Sequence, residues 1–361
     1  MTSINRKVLF FINSEVGGAE RMAVLISRII EASGFVVSFV IIKDSHNKTS
    51  IIDFIPENHD VTVISGHNLN YIGKFYKFYK SIKEKKPDIV FSTNYSVNDK
   101  LLLLKPLFRR IRFIVRSDFY FSSFNKWEQF VIKHSYPKAD LLISQTDEMR
   151  EEFVNAKLLP ASRVVTLENP VDKKGIDEKL QGKESPFVYK DRKNIVAVGR
   201  VSFQKGYDIL VTAFAELLSM DISAELYIVG SYRGMWEVEY KRVVEIIRQL
   251  GIEKLVHFVG YQDNPYQYIK YADCFVLSSR WEGLPNVLAE ALYLKTPVAA
   301  FRCIPIIERM VRDGIDGCLA EKENPHALAE AMNRAIKLER ISPIYEGASC
   351  ESFVKAFSTV K

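Results

Sequence analysis

The sequence predicts two doubly wound α/β domains, each a mostly parallel sheet covered by helices on both faces. Short β-rich runs alternate with amphipathic stretches along nearly the whole chain, which is typical of such sheets. The alternation restarts after a polar, Gly/Pro-bearing segment, and 361 residues suffice for two domains of ordinary size. We therefore expect an N-terminal domain at 1–170, a linker at 171–193, a C-terminal domain at 194–342 and a helix at 343–361 that crosses back to the first domain.

Eleven runs are strand candidates. In the first domain they lie at 7–13, 35–42, 61–65, 87–93, 112–117 and 139–145, and in the second at 194–199, 224–230, 256–260, 272–279 and 297–301. Ligands of parallel sheets bind beyond the carboxyl ends of the strands. The loops after these runs, facing a cleft between the domains, are therefore where functional residues are expected.

Composition narrows the classes of protein. The chain is 47% hydrophobic and 26% charged, as globular proteins are, and no apolar run reaches the length of a membrane span. The first apolar run, at 8–12, is too short for the core of a signal peptide. Four cysteines (Cys274, Cys303, Cys318, Cys350) lie far apart without metal-ligand spacing, which favours reduced and mostly buried thiols. These features predict a cytoplasmic protein.

Positive charge is concentrated in the first domain. Residues 1–150 carry 22 Lys and Arg against 15 Asp and Glu, and residues 71–112 hold eleven basic residues against three acidic ones. The stretch YIGKFYKFYKSIKEKK at 71–86 reads as a helix with one aromatic face, which consists of Tyr71, Ile72, Phe75, Phe78, Tyr79 and Ile82. That helix either packs its aromatic face on the sheet or rests its lysines on an anionic membrane, and both hold if only the lysines meet lipid.

In each half, the loop after the first strand carries candidate binding groups. Gly17 and Gly18 precede an amphipathic helix, where they form either a plain strand-to-helix turn or part of a binding loop. Arg200 and Lys205 lie in the loop GRVSFQKG at 199–206. Two cations beside a helix N-terminus suit a pyrophosphate, and the alternative is two surface bases.

The stretch SSRWEGLPNVLAEALYLKTPVAA at 278–300 carries two glutamates, Glu282 and Glu290, on either side of a predicted helix start. Pro285 suits the first helical position because its missing N–H needs no partner there. Glu290 falls at the edge of the apolar face of that helix and is expected to be half buried. The alternative for each glutamate is an ordinary solvated side chain.

In their order and spacing these features resemble the retaining nucleotide-sugar glycosyltransferases of the GT-B fold, in particular glycosyltransferase family 4. The motifs that carry the resemblance are GGAE (17–20), KPDIVFSTN (86–94), ADLLISQTDEM (139–149), NPVD (169–172), GRVSFQKG (199–206), IVG (228–230), VHFVGY (256–261) and EGLPNVLAE (282–290). The resemblance implies two Rossmann-like domains, a first domain that binds acceptor and a second that binds a nucleotide sugar.

By the same resemblance, Arg200 and Lys205 would neutralise the donor diphosphate, Glu282 would lie against the transferred sugar, and Glu290 would accept both ribose hydroxyls. Arg200, Lys205 and Glu282 are the implied catalytic residues. The other implied donor-binding positions are Gly17, Gly18, Gly230, Val259, Tyr261, Gly283, Leu284, Asn286, Val287 and Glu290. Many relatives have a histidine near the transferred sugar, whereas this chain has Arg116 and Asp118 there. Asp118 would either contact sugar or acceptor or cap its loop.

The resemblance implies retention of anomeric configuration, with the leaving phosphate helping to deprotonate the acceptor. No D-x-D motif occurs in the chain, so neither metal nor other cofactor is expected. A UDP-sugar is the expected donor, and a saccharide or lipid-linked saccharide in polysaccharide or glycan synthesis is the expected acceptor. The protein would work in the cytoplasm or peripherally on the inner membrane face, with residues 71–112 as the candidate contact for anionic lipid.

Two other functions fit the same fold. One is a nonhydrolysing sugar-nucleotide epimerase, which the spaced glutamate pair and the loop at 199–206 disfavour. The other is a relative that binds nucleotide sugars without turnover, against which the intact Arg200, Lys205, Glu282 and Glu290 argue. Nucleic acid is not an expected partner, because no recognition motif accompanies the basic region.

Overall fold

The computed structural model describes residues 5–15, 17–43, 50–65, 71–188 and 191–359. The chain forms two compact units, each with its own sheet. Unit 1 comprises Met1–Pro170 and Gly347–Lys361, and unit 2 comprises Val171–Glu346. The predicted fold class, two parallel α/β sheets, is confirmed.

Unit 1 is built on a seven-stranded sheet in the order β3-β2-β1-β4-β5-β6-β7, with every pair parallel. Its strands are β1 (Lys7–Asn13), β2 (Val36–Lys43), β3 (Asp60–Ser65), β4 (Ile89–Ser92), β5 (Arg112–Ser117), β6 (Leu141–Ser144) and β7 (Val164–Thr166). Its helices before the second unit are α1 (Gly18–Glu31), α2 (Tyr71–Lys85), α3 (Tyr95–Leu104), α4 (Lys126–Ser135) and α5 (Asp147–Asn155).

Unit 2 is built on a six-stranded parallel sheet in the order β10-β9-β8-β11-β12-β13. Its strands are β8 (Lys193–Val198), β9 (Ala224–Val229), β10 (Val256–Gly260), β11 (Cys274–Leu277), β12 (Val298–Phe301) and β13 (Gly317–Ala320). Its helices are α6 (Lys173–Leu180), α7 (Tyr207–Ser219), α8 (Glu237–Leu250), α9 (Tyr266–Tyr271), α10 (Asn286–Tyr293), α11 (Ile306–Met310) and α12 (Pro325–Ala335). In each sheet the strand order reverses between two neighbouring strands, which are β1 and β4 in unit 1 and β8 and β11 in unit 2. The loops after these two strands therefore meet at the carboxyl edge of the sheet.

Side chains alternate between the two faces of the unit 1 sheet, as the period of a strand requires. Phe10, Phe39 and Phe91 lie on one face, where α1 covers them. Leu9, Phe11 and Phe113 lie on the other face, which α2, α3 and α4 cover. The last helix, α13 (Cys350–Thr359), returns to the first of these faces, with the ring of Phe357 at 5.3 Å from that of Phe91.

Three details of the secondary structure differ from the sequence-based expectation. The edge strands β7 and β13 were missed, because runs of three and four residues are too short to show a strand period. The segment at 171–193, expected to be a linker, contains helix α6 and belongs to unit 2. Its polar composition reflects the exposed side of a helix whose Ile176 and Leu180 are buried.

Helix α2 coincides with the predicted aromatic helix, and its Phe78 and Ile82 are buried against the sheet. Ile72 had been assigned to the same face, but it is exposed to solvent. At about 100° per residue it points some 120° away from Phe78, so the sheet does not cover it. The side chain of Tyr71 lies outside the described part of the structure. In the described residues no helix is both long and apolar enough to cross a bilayer.

Candidate functional site

The candidate site of unit 2 lies at the carboxyl ends of β8, β9 and β11, where the backbone is packed closely. Gly230, which follows β9, has a φ of 152° and donates its N–H to the carbonyl of Gly260 at 2.9 Å. A Cβ at Gly230 would overlap the carbonyl oxygen of Gly199. The predicted donor-binding Gly230 therefore has a packing role at this edge, which lets the chain ends of two strands approach each other.

The loop after β8 is folded onto the loop after β11. A short helical turn at Phe203–Lys205 ends at Gly206, whose φ of 64° is left-handed and where a Cβ would overlap the carbonyl oxygen of Ser278. The Ser278 hydroxyl donates to the carbonyl of Lys205 at 2.8 Å. These contacts place the lysine of one loop beside the glutamate of the other.

Lys205 and Glu282, both predicted from the sequence, form an ion pair. The Nζ of Lys205 lies 2.6 Å from Oε1 of Glu282, and the side chains are only 17% and 9% exposed. The hydroxyl of Ser279 donates to the same oxygen at 2.6 Å. Lysine has three N–H donors, so this contact leaves Nζ with further donors for an anion at the same place.

Arg200, the second predicted cation, is exposed, and it contacts a different side chain from the Lys205–Glu282 pair. Its guanidinium carbon is 4.9 Å from the centre of the Trp236 ring, in the turn that precedes α8. This turn belongs to the segment SYRGMW at 231–236. A cation held over an aromatic face is stabilised by the charge distribution of the ring, so Trp236 sets where Arg200 lies.

Glu290 is half buried on α10, as predicted. The helix begins at Asn286, and Pro285 lies just before it with an extended ψ of 91°. The predicted placement of Pro285 at the first helical position is therefore wrong by one residue. Pro285 precedes the helix, and its carbonyl accepts from the N–H of Leu288 at 3.0 Å. Gly283 and Leu284 form the turn before it, and Val287 lies in the first turn of the helix.

Two of the predicted donor-binding positions, Val259 and Tyr261, lie at the end of β10. Val259 is part of that strand and is half buried, while Tyr261 follows it and is exposed. Gly260 between them has a φ of 83°, a conformation that favours glycine. Val259 thus lies on β10, the neighbour of β9 in the sheet, and Tyr261 lies directly after it.

Sequence reasoning missed a second ion pair that ties the two loops together. Arg280 donates to both carboxylate oxygens of Asp208, at 3.0 Å and 2.6 Å, and to the carbonyl of Phe203 at 2.7 Å. Its guanidinium carbon lies 3.9 Å from the centre of the Phe203 ring. Arg242 reaches the same carboxylate at 2.9 Å. The only sequence signal was an arginine two residues before Glu282.

The electrostatics of Asp208 follow from these partners. Burial opposes its ionisation, but the hydrogen bonds from Arg280 and the charges of Arg280 and Arg242 outweigh burial and hold the pKa of the carboxyl below its ordinary value. The Arg280 and Asp208 side chains are 9% and 8% exposed. A buried, bidentate pair of this kind fixes geometry, because either partner alone would be an uncompensated charge.

We expect Arg280→Ala to lower the free energy of unfolding by about 3 kcal/mol, because it leaves the Asp208 carboxylate buried without its bidentate partner and with the more exposed Arg242 as the remaining positive charge beside it. Denaturant-induced unfolding measures this change. Arg248→Ala is the matched control, since Arg248 is an exposed arginine on α8 that pairs with Glu245 at 3.1 Å, and its loss should change stability by no more than about 0.5 kcal/mol. Equal effects of the two substitutions would contradict a stabilising Arg280–Asp208 pair.

The same pair predicts a pH dependence. A carboxyl with a lowered pKa in the folded state stabilises the fold above its ordinary pKa of about 4, and this contribution disappears as the pH falls through the lowered value. Asp208→Asn should therefore flatten the dependence of stability on pH below about 4 relative to wild type. Superimposable acid-side slopes would be incompatible with the lowered pKa of Asp208.

Cys303 lies beside the Lys205–Glu282 pair. Burial and the Glu282 charge raise the pKa of its thiol to about 12, against the opposing effect of Lys205 and Lys322. The thiol is therefore protonated at neutral pH and is a poor nucleophile. All four cysteines are free of disulfides, with Cys274 and Cys318 buried, Cys303 half buried and Cys350 exposed.

In unit 1, Arg116 and Asp118 lie at the carboxyl end of β5. Arg116 is fully buried and donates to Asp118 at 2.5 Å and to the side chain of Asn169. Gln145, after β6, donates to the same Asp118 oxygen at 2.6 Å. Burial raises the pKa of the Asp118 carboxyl, and Arg116 and Gln145 oppose that rise. These bonds join three strand ends and hold the Asp118 carboxylate in place.

The glycines after β1 lie where the sequence predicts, at the start of α1. Gly18 is the first residue of that helix, and Gly17 precedes it in an extended conformation with its carbonyl accepting from the N–H of Arg21 at 3.1 Å. A Cβ at Gly17 would come within 2.5 Å of a carboxylate oxygen of Glu20. The Glu20 carboxylate thus lies over the N-terminus of α1, in the space beside Gly17.

Two family profiles match the chain: Glycosyl transferases group 1 over residues 179–349, and Glycosyltransferase Family 4 over residues 16–174. An uncharacterized glycosyltransferase of Methanocaldococcus jannaschii is 30% identical over 243 residues, which cover 63% of this chain and 59% of that protein. N-acetylgalactosamine-N,N'-diacetylbacillosaminyl-diphospho-undecaprenol 4-alpha-N-acetylgalactosaminyltransferase of Campylobacter jejuni is 27% identical over 233 residues, 64% of this chain and 60% of that enzyme. The chain thus spans less than two thirds of the length of either relative.

Among solved structures, Anabaena HepE in complex with UDP and glucose superposes with a TM-score of 0.77. The match covers 92% of this chain and 90% of that one at 19% sequence identity. At this identity the likeness concerns the fold, and it extends over both units.

Proposed function

The chain belongs to glycosyltransferase family 4, the group 1 glycosyl transferases with the GT-B fold, and on this premise we propose that it transfers a sugar from a UDP-sugar to a saccharide or lipid-linked saccharide. The anomeric configuration is retained, as in the family. The observation that carries the proposal is the Lys205–Glu282 ion pair, held at the carboxyl edge of the unit 2 sheet in the loop that leads into the helix of Glu290.

Charge development explains why the site contains fixed cations. When the anomeric C–O bond breaks, negative charge appears on the departing diphosphate, and catalysis requires positive groups already in place. Lys205 is held for this by Glu282 and by the packing of its loop. Arg200 and the backbone N–H groups at the start of α10 would add to it. The proton of the acceptor hydroxyl passes to the leaving phosphate, so a separate base is not required.

The two glutamates would have different tasks. Glu290 would accept hydrogen bonds from both ribose hydroxyls, since a carboxylate only accepts and can take two donors. Glu282, already bound to Lys205 and Ser279 through one oxygen, has its other oxygen for a hydroxyl of the transferred sugar. Similar proteins support both substrates: HepE was solved with UDP and glucose, and the C. jejuni enzyme acts on a diphospho-undecaprenol-linked sugar.

A donor panel tests this function directly. We expect UDP and UDP-sugars to raise the melting temperature more than other nucleotides, because a ligand that binds only the folded state stabilises it. Slow hydrolysis or transfer should follow with one UDP-sugar, and it should survive EDTA, since protein cations take the place of a metal. Reversible loss of turnover on chelation would refute the metal-free mechanism.

Other outcomes of the same panel separate the alternative functions. Interconversion of UDP-sugars without any acceptor would identify an epimerase. Binding without hydrolysis or transfer, across donors and acceptors, would identify a non-catalytic relative. Either result would overturn the proposed transfer reaction while leaving the fold assignment intact.

A further inference from the structure

Unit 1 exposes apolar side chains on one group of neighbouring helices. Between residues 71 and 138 the large exposed hydrophobic residues on helices or their end turns are Ile72, Tyr76, Leu103, Leu107, Trp127 and Phe130. Their exposed fractions run from 37% to 76%. Single exposed apolar residues are ordinary, but several on adjacent helices call for a partner.

These residues share one outer surface. Helices α2, α3 and α4 all bury their inner faces in the same core on one side of the unit 1 sheet, through Phe78, Leu101 and Ile132. Helix α3 contacts both α2 and α4. The contacts include the rings of Tyr79 and Phe108, at 5.4 Å, and of Tyr95 and Phe124, at 5.1 Å. The exposed side chains therefore point away from the sheet.

Helix α4 carries a row of three rings along its outer side. The Trp127 and Phe130 rings stack at 5.7 Å with an interplanar angle of 19°, and the His134 ring lies 4.2 Å from that of Phe130. Trp127 is 70% exposed, so this packing does not bury it. The rings hold one another in place, which lowers the entropy lost when they bind a surface.

The same surface is strongly positive. Between residues 71 and 138, eight basic residues are exposed: Lys77, Lys80, Lys83, Lys86, Arg109, Arg110, Lys126 and Lys133. The exposed acidic residues of that stretch are Glu84, which lies 3.6 Å from Lys80, and Asp88, which accepts the backbone N–H of Lys7. We call the outer surface of α2, α3 and α4 with these apolar and basic residues the basic-aromatic face.

We propose that the basic-aromatic face lies in the interface of a bilayer that contains anionic lipid. Trp127, Phe130 and Leu107 enter the boundary between headgroups and acyl chains, while the lysines and arginines meet the lipid phosphates. Tryptophan and tyrosine concentrate at that boundary because their rings are amphipathic. This inference rests on the proposed function, because the protein would meet a lipid-linked acceptor at this surface.

The composition of the face favours lipid over nucleic acid. Backbone phosphates would account for the basic residues, and rings could stack on bases, but exposed Ile72, Leu103 and Leu107 would gain nothing from a nucleic acid. In a bilayer each of these side chains leaves water. Salt should therefore remove only part of the binding, because the apolar contribution is not screened.

Vesicle co-sedimentation of the full-length chain tests the proposal. The probes are vesicles of phosphatidylcholine alone and of phosphatidylcholine with about a third phosphatidylglycerol. We expect binding to the anionic vesicles at low salt and weaker but measurable binding at high salt. The double variant Trp127→Ala/Phe130→Ala should bind the vesicles at least about tenfold more weakly than wild type at every salt concentration.

Two further variants separate the apolar and the electrostatic contributions. Changing Lys77, Lys80, Lys83 and Lys86 together to glutamine should remove the preference for anionic lipid and the salt dependence. The control Ile52→Ala/Val63→Ala, which alters exposed apolar residues outside the face, should bind as wild type does. Vesicles with brominated acyl chains should quench tryptophan fluorescence of the wild type, and Trp127→Phe should lose most of that quenching.

Every variant is first checked for folding by its circular dichroism spectrum and its melting temperature without ligand, and its UDP binding is measured separately. Equal vesicle binding by wild type and the Trp127→Ala/Phe130→Ala variant, or no quenching by brominated lipid, would overturn the proposal. So would binding to single-stranded oligonucleotides without binding to vesicles. Because UDP binding and transfer are read separately, failure here is distinguishable from failure of the proposed transferase function.

Discussion

Lys205→Ala is expected to slow sugar transfer by about two orders of magnitude or more, the cost of removing one preorganised charge-stabilising donor. The loss should appear in kcat, because the charge on the diphosphate is largest in the transition state. Arg200→Ala should act in the same direction. Steady-state kinetics with the best UDP-sugar of the donor panel measure both effects.

The matched control is Lys241→Ala, which removes an exposed lysine of α8 that pairs with Glu237 at 2.8 Å. It should leave kcat unchanged. Loss of Lys205 also leaves Glu282 with Ser279 as its remaining recorded side-chain partner, so the double variant Lys205→Ala/Glu282→Gln tells repulsion from lost stabilisation. If the double variant recovered wild-type turnover, Lys205 would serve only to neutralise Glu282. A Lys205→Ala enzyme as fast as the control would end the assignment of this lysine.

Glu290→Gln and Glu282→Gln are expected to fail in different ways. Glu290 would hold the ribose throughout the reaction, so its replacement should weaken donor binding by about 10- to 100-fold, the usual range for a hydrogen bond to a charged group. Glu282 would lie by the reacting sugar, so Glu282→Gln should mainly lower kcat. Calorimetric titration with UDP and steady-state kinetics separate the two effects.

Glu330→Gln, an exposed glutamate on α12, is the control for both substitutions and should change neither quantity. UDP affinity is the decisive reading for Glu290, since UDP contains the ribose and lacks the sugar. Wild-type UDP affinity in Glu290→Gln would remove its role at the ribose. Full turnover in Glu282→Gln would remove Glu282 from the neighbourhood of the reacting carbon.

Some of this architecture could be predicted because it rests on local signals. The strands at 7–13 and 112–117 have the same bounds in the sequence-based prediction and in the structure. Such strands can be predicted because their apolar residues form a short run along the chain. The half burial of Glu290 followed from its angle on a helical wheel. The same reasoning failed for Ile72, because a wheel gives a direction but not how far the sheet extends to cover it.

Contacts between distant segments were a different matter. Arg280 and Asp208 are 72 residues apart, and the sequence around each of them does not indicate that they pair. The pair exists because β11 lies next to β8 in the sheet, which brings the loops after these two strands together. Strand order is a property of the assembled sheet, and periodicity along one strand carries no information about which strand lies beside it.

By itself the sequence determined the fold class, the strands that lead to the site, and the residue types at their ends: two cations, two glutamates and the glycines between. The tertiary structure alone decided that Lys205 meets Glu282 directly, that Arg200 rests on Trp236, and that Asp118 is bound by Arg116 and Gln145. The physical reason is that apolar patterning is read residue by residue along the chain. A buried ion pair, by contrast, requires two side chains from separate loops to lose their water together, and only packing determines which two these are.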